Sequence, residues 1–506
     1  MLKKIPIQNI IFKNTDEVGL DELAAERINC DVDDLGNIIS TPGLLPFVTL
    51  SLSGGDVQGF YYWKSNDIVI AVSGGRIYKI TRAGDVADIT GATLLPHNRV
   101  SFASDNDYLF MANGGRIVFY SLIFSQIAND VDSVVSQSVD VDGVLGGIYI
   151  DELLGDHTLY YLDESAPTQV SHIAYINKRF VCNSVGTSNV YYSEVNIPTK
   201  LFGYFSAESN TDNIEALFEM RNELVLVGTE SIEFWESAGT NPDFIRVGGQ
   251  DIARGTYSPD TCQIIDNTLY MLDSERRLAR VVRNIQDRSM ELQALSINKE
   301  IDSFSEILKV QGHHVLAGGR NYYVLTSPVD EKTYVFDYVK NAWTSQWAYW
   351  DEGVGQWKRW RGNCSLFVSQ WNAHLVGDCV NGKIYKMSNT INTEDGHLVR
   401  RIPVRTGHIS HGTFNLKQSD MLRIKLKMDA DRITSKNSKI SLRWRDNNGE
   451  WENERIIDLG NVGQHQFIRE EYALGQYNTR QYELEYYGDG KLMICGMEED
   501  FDILGN

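Results

Sequence analysis

Few residues here are spaced for chemistry, and their spacing argues against most of it. Gly377–Lys383 (GDCVNGK) reproduces the front of a phosphate-binding loop. Ile384, however, stands where the magnesium-ligating Ser or Thr belongs. Asn381-Gly382 between two apolar stretches reads better as a hairpin turn. Asp31, Asp33 and Gly36 have the front of a calcium loop, yet Leu35 fills a ligand position and no Glu follows at the twelfth. This also reads as a turn. His408 and His411 lie three apart without a flanking Glu, and His313-His314 point to opposite faces of a strand. Neither pair makes a metal site. Cys30, Cys182, Cys262, Cys364, Cys379 and Cys495 are scattered, with no Cys-x-x-Cys. Such spacing suits buried free thiols in a reducing compartment. No Gly-x-Ser-x-Gly elbow occurs. The expectation is no catalytic residue, no metal and no cofactor.

Two constellations remain. Trp343, Trp347, Trp350, Trp357 and Trp360 crowd into Asp337–Gly362 beside Lys358, Arg359 and Arg361. Such a set can stack sugars or bases. Packing between structural units or between subunits is the preferred reading, so the five tryptophans are candidate interface aromatics. The second constellation is Ile117–Asn177, which has nine carboxylates and no Lys or Arg. Its middle alternates weakly (VDSVVSQSVDVDGV) and suits an extended hairpin.

The elements that must carry these residues are strands. The 506 residues have ordinary globular composition, 42% hydrophobic and 23% charged, and no apolar run of membrane-spanning length. The opening MLKKIPIQN lacks the apolar centre of a secretory signal. Glycine turns, aromatics and β-branched runs predict an all-β chain. A short pattern recurs: Asn, two mostly polar residues, then two apolar ones. It starts at Asn66, Asn106, Asn177, Asn222, Asn267 and Asn372, with a degenerate copy at Gly312. Three successive steps of 45 residues match the period of a four-stranded propeller blade. The expectation is a β-propeller of six or seven blades over residues 45–395, with insertions at 117–177 and 337–362. Ahead of it, residues 1–44 form an extended arm in which Asp21–Arg27 makes a short helix. After Gly396 the period is lost, and alternating strands predict a separate antiparallel β-domain over 396–506, sandwich-like.

Charge divides along the same line. From Gly396 onward 16 basic residues meet 17 acidic ones, leaving 31 against 51, a net of −20, in the first 395. That argues against affinity-driven nucleic-acid binding, which needs a basic surface. It fits a wall past which nucleic acid slides.

Three stretches, in order, resemble one family. Leu35–Phe47 (LGNIISTPGLLPF), with Gly36, Pro42 and Gly43, is similar to the segment before the propeller in packaged-DNA stabilisation (tail nozzle) proteins of short-tailed bacteriophages. Asn213–Trp235 is similar to that family's central blade, best at Gly228, Ser231, Ile232, Glu233 and Trp235. Ser441–Trp451 (SLRWRDNNGEW), followed by Leu459-Gly460, is similar to its C-terminal strand-turn-strand, though Asn448 replaces a usual glycine.

The resemblance implies a structural virion protein of the phage tail, made in the host cytoplasm. It implies a homo-hexameric ring below the portal and its adaptor ring. That ring retains packaged DNA and conducts it during ejection. The implied partners are the adaptor, a tail fibre or tailspike, a plug or needle protein, and passing duplex DNA without sequence-specific binding. Asp130, Asp132, Asp140, Asp142, Asp151 and Glu152 then become candidate channel or rim residues, since an acidic wall repels phosphate. Two other functions compete: a propeller hydrolase acting on glycans through a carboxylate pair, and a monomeric propeller scaffold for protein partners. A carboxylate pair in the central funnel under a tryptophan platform would favour the hydrolase.

Overall fold

The computed structural model describes residues 2–5, 26–50, 55–89, 91–121, 144–145, 148–149, 159–162, 165–207, 212–239, 243–283, 290–296, 299–428, 438–459 and 466–504. Seven four-stranded antiparallel sheets follow one another along the chain. Six are continuous in sequence, spanning 57–89, 101–161, 173–206, 214–246, 263–296 and 311–346. The seventh takes three strands from 362–388, and its fourth is Gly43–Thr49, paired antiparallel to Lys383–Ser388. One side of a lone blade stays apolar, so blades must stack. Seven apolar clusters do this, each drawn from two successive blades, and the last joins blade 7 to blade 1 through Val57, Val69, Cys364 and Leu375. The ring is a closed seven-bladed propeller.

The Asn copies at 66, 106, 177, 222, 267 and 372 each precede the second strand of a blade, so Phe180-Val181, Leu224-Val225 and Leu269-Tyr270 are equivalent. The reason is turn geometry. Asn177-Lys178, Arg221-Asn222 and Asp266-Asn267 each have two successive residues at positive φ. That is the type I′ hairpin, which matches strand twist and favours Asn or Gly. The Gly312 copy is corrected. It lies on the first strand of blade 6, and the equivalent turn is Gly318-Gly319, ahead of Arg320–Ser327.

The two insertions also shrink. Val118–Ser121 and Leu159–Tyr161 are the third and fourth strands of blade 2, so the acidic insertion proper lies between them. Ala342–Gln346 is the outer strand of blade 6, and only the hairpin Ala348–Asp351/Gln356–Arg359 is extra.

The two other large sheets face each other over a single apolar cluster that includes Leu422, Leu442, Tyr482 and Met497. One sheet has Lys417–Met428 between Leu492–Ile503 and Gln466–Tyr477. The other contains Arg401–Arg405, Arg480–Tyr487, Lys439–Asp446 and Arg455–Asp458. The N-terminal arm joins both. Leu2–Ile5 and Ile38–Ser40 pair with Leu492–Ile503, and Glu26-Arg27 pairs with Arg401–Arg405. Glu26 and Arg27 are thus strand, not helix, while residues 21–25 lie outside those described.

Candidate functional site

The six acidic candidates, Asp130, Asp132, Asp140, Asp142, Asp151 and Glu152, lie outside the described residues. Their insertion leaves blade 2 between its third and fourth strands. Strand directions alternate within a blade, so this is the end opposite the one at which the innermost strands begin.

The end at which the innermost strands begin is bridged by Arg99, just before the innermost strand of blade 2. Its guanidinium donates to the carbonyls of Gly312 (2.8 Å) and Asn363 (2.5 Å), at the starts of the innermost strands of blades 6 and 7. Asp260 lies close enough that Arg99 opposes the rise burial imposes on its carboxyl. Asp56 accepts from Asn363 Nδ2 and lies 2.9 Å from His97 Nδ1. Carboxylates therefore gather at this entrance, but the tryptophan platform does not. Among the described residues no group of three His, Cys, Asp or Glu side chains is placed to hold a metal.

The tryptophans separate into two groups. Trp343 packs edge-on to Phe336 (5.3 Å), and Trp347 to Trp360 (4.8 Å), all buried within and between blades. Trp360 also stacks on the buried His313. Trp350 and Trp357 face each other across the extra hairpin, 5.4 Å apart, and are half-buried. They form one wall of a cleft of about 830 Å³. Its floor is the outward face of the five-stranded sheet. Arg401 and Arg405 alternate along one strand, and Lys439, Ser441 and Arg443 along another, with Glu483 and Glu485 between them. A period of two puts each set on one face. Glu483 accepts from Arg405 (2.9 and 2.6 Å) and from Arg443. Arg401 pairs with Glu485 at 3.4 Å and lies over Trp350 at 4.5 Å. Burial pushes the Glu485 carboxyl up, and Arg401 opposes that rise. Trp451 has Arg405, Arg443 and Arg445 within about 5 Å of its ring. The sequence signal for this floor was present in RIPVR and KISLRWR, where Arg401 and Arg405, and Lys439, Arg443 and Arg445, all fall on one period-two face of their strands.

The apparent ligand motifs are turns. Asp33 accepts from the Leu35 and Asn37 amides, and Asp31 from Arg320 (3.0 Å) and Tyr322 (2.6 Å). Asp378 accepts from the Val380 and Asn381 amides and from Tyr385, closing the hairpin that resembled a phosphate loop. His411 bonds Glu499, and His408 is buried.

The family-like residues have structural work. Asp212 accepts from the Glu230 and Ser231 amides and from the Ser231 hydroxyl, and a Cβ on Gly228 would strike that carboxylate. Buried Glu233 accepts from Trp235 Nε1 at 2.8 Å. Gly43 lets the closing strand pass the Ile391 and Thr393 carbonyls, each of which would lie 2.8 Å from a Cβ. Asp446 of the C-terminal turn takes both Nε and Nη2 of Arg480. A family model described as "Bacteriophage P22 Gp10, beta-propeller" matches residues 32–392. The chain belongs to this phage stabilisation family. It is a phage β-propeller structural protein.

Several solved structures of remote sequence are similar to this family member. One is the extracellular domain of a hybrid two component system, BT4673, from B. thetaiotaomicron (11% identity, TM-score 0.43). The alignment covers 69% of this chain and 41% of that one. Another is the Neurospora crassa Pan2 WD40 domain (7% identity, TM-score 0.41, covering 71% and 97%). A third is the WD40 propeller of Doa1 (12% identity, TM-score 0.37, covering 69% and 97%). No curated protein matches the chain.

Proposed function

We propose that this chain is the tail nozzle subunit of a short-tailed phage. Copies assemble as a homo-hexameric ring below the portal and its adaptor ring, retain packaged DNA, and conduct it during ejection. The observation that carries this reading is the family match through the whole propeller, residues 32–392. The propeller-bearing part, 45–395, makes the ring body, and 396–506 forms the second domain. A tail fibre or tailspike attaches beside it, and a plug or needle protein closes it below. Two features support a conduit. The net charge of the chain is −21, the sign that keeps phosphate off a wall. Arg99 crosses the propeller's own axis, which favours a duplex path between copies over a path through one. Electron cryomicroscopy of the native particle tests the reading. A ring of these chains around a duplex-wide channel beneath the portal is the expected image. The chain found singly on the tail periphery would sink it.

A further inference from the structure

We infer that the cleft between the Trp350–Trp357 hairpin and the five-stranded sheet binds a neutral oligosaccharide. The inference does not depend on the nozzle reading. The cleft's volume, about 830 Å³, falls within the range of small-ligand sites. Its lining combines aromatic rings, Trp350, Trp357, Trp451 and Tyr487, with charged groups of both signs. Five cations line it (Lys332, Arg401, Arg405, Lys439 and Arg443), along with six carboxylates (Glu331, Glu352, Glu452, Glu454, Glu483 and Glu485).

The pairing of these charges selects the ligand. Glu483 is held between Arg405 and Arg443, Glu485 beside Arg401, and Glu331 beside Lys358 at 3.4 Å. A charged ligand that took Glu483, Glu485 or their arginines would have to break such a pair and leave one member uncompensated. A sugar hydroxyl is both donor and acceptor. It can bridge a guanidinium and a carboxylate that are already paired, using their remaining N–H groups and lone pairs. The stacked arginines hold the floor in place before any ligand arrives, which lowers the ordering cost of binding. The apolar face of a sugar ring then lies against indole. Free carboxylates on the rim (Glu452 and Glu454 are exposed) also repel an acidic glycan.

The test uses the full chain on a printed array of neutral and acidic bacterial oligosaccharides, followed by titration of the best neutral tetrasaccharide by tryptophan fluorescence. Binding to neutral sugars is expected, weakened at least about tenfold by Trp357→Ala, while Glu454→Ala, which removes a rim charge, should raise binding of acidic glycans several-fold. Glu454 is on an exposed loop, so the second variant carries the test if the first unfolds. No neutral sugar bound, or binding indifferent to both substitutions, overturns the inference. Loss of self-association in both variants without sugar binding also overturns it, and makes the cleft a contact between copies.

Discussion

Single residues in this protein are most consequential where charge is buried. Arg400 and Glu394 are 3.1 Å apart and almost wholly buried. Arg400 also donates to the Thr41 and Pro42 carbonyls and to the Thr41 hydroxyl, fixing the arm just before the closing strand. Arg400→Met strands the Glu394 carboxylate and should cost about 3–5 kcal/mol in urea unfolding. Adding Glu394→Leu should recover part of that loss. A single variant as stable as the parent would mean the pair contributes nothing.

His374 gives a pH dependence. Burial, aided by the nearby His314, lowers its pKa to about 3 from an ordinary 6.5. Between those values the unfolded chain binds the proton and the folded one does not, so stability rises with pH. Its contribution is complete above pH 6.5 and is lost as pH falls toward 3, on the order of 4 kcal/mol. His374→Phe should flatten the melting-temperature profile between pH 6.5 and 4. A profile as steep as the parent's would assign the acid sensitivity elsewhere, for instance to His172, whose imidazole burial lowers to about 4.

Among the elements, the closing strand shows what a linear reading can reach. Every blade carries a copy of the repeat, degenerate in blade 6 and marked by Asn372 in blade 7, and in blades 3, 4 and 5 the second strand opens with a left-handed turn that selects Asn or Gly. The closure was not legible from the repeat, since the fourth strand of blade 7 comes from residues 43–49, more than 300 residues before its partner. In blade 6 the pattern slipped by one strand. His313-His314-Val315-Leu316 has the same polar-polar-apolar-apolar order as a true copy, and the actual turn uses two glycines instead of Asn. The cleft was half legible. Tryptophan density pointed to the hairpin, but Trp343, Trp347 and Trp360 proved to be blade core, because neither density nor spacing distinguishes a ring facing in from one facing out. The alternating arginines opposite it were readable only once the two strands were known to be adjacent. Gly43→Val tests the closure. A side chain there would press on the Ile391 and Thr393 carbonyls, forcing the strand off Lys383–Ser388. The expected result is a loss of about 2–4 kcal/mol and faster amide exchange in Lys383–Ser388 than in the second strand of blade 4. Unchanged exchange would show that blade 7 holds without its borrowed strand.

For the whole molecule the question is where the negative charge faces. The N-terminal arm stitches the propeller to the two C-terminal sheets: Asp31 pairs with Arg320 of blade 6, and Asn29 Nδ2 bonds the carbonyls of Ala348 and Arg401. The acidic stretch connects the third and fourth strands of blade 2, whose joined ends lie opposite the Arg99-bridged entrance. Carboxylates without neutralising bases repel one another, so they belong where water and ions screen them. A wide lumen between copies meets that condition and gives the repulsion a use, because duplex phosphates come within a Debye length of the wall. An outer rim meets the screening condition alone. Replacing Asp130, Asp132, Asp140 and Asp142 together by Asn removes four charges and almost no volume. Melting should be unchanged. If the insertion lines the lumen, DNA release from assembled particles should slow at low ionic strength. The difference from the parent should shrink as salt shortens the range of the repulsion. Unchanged release with lost fibre attachment would instead assign the insertion to docking. Because the substitution alters charge and almost no volume, either result separates electrostatic lining from steric contact.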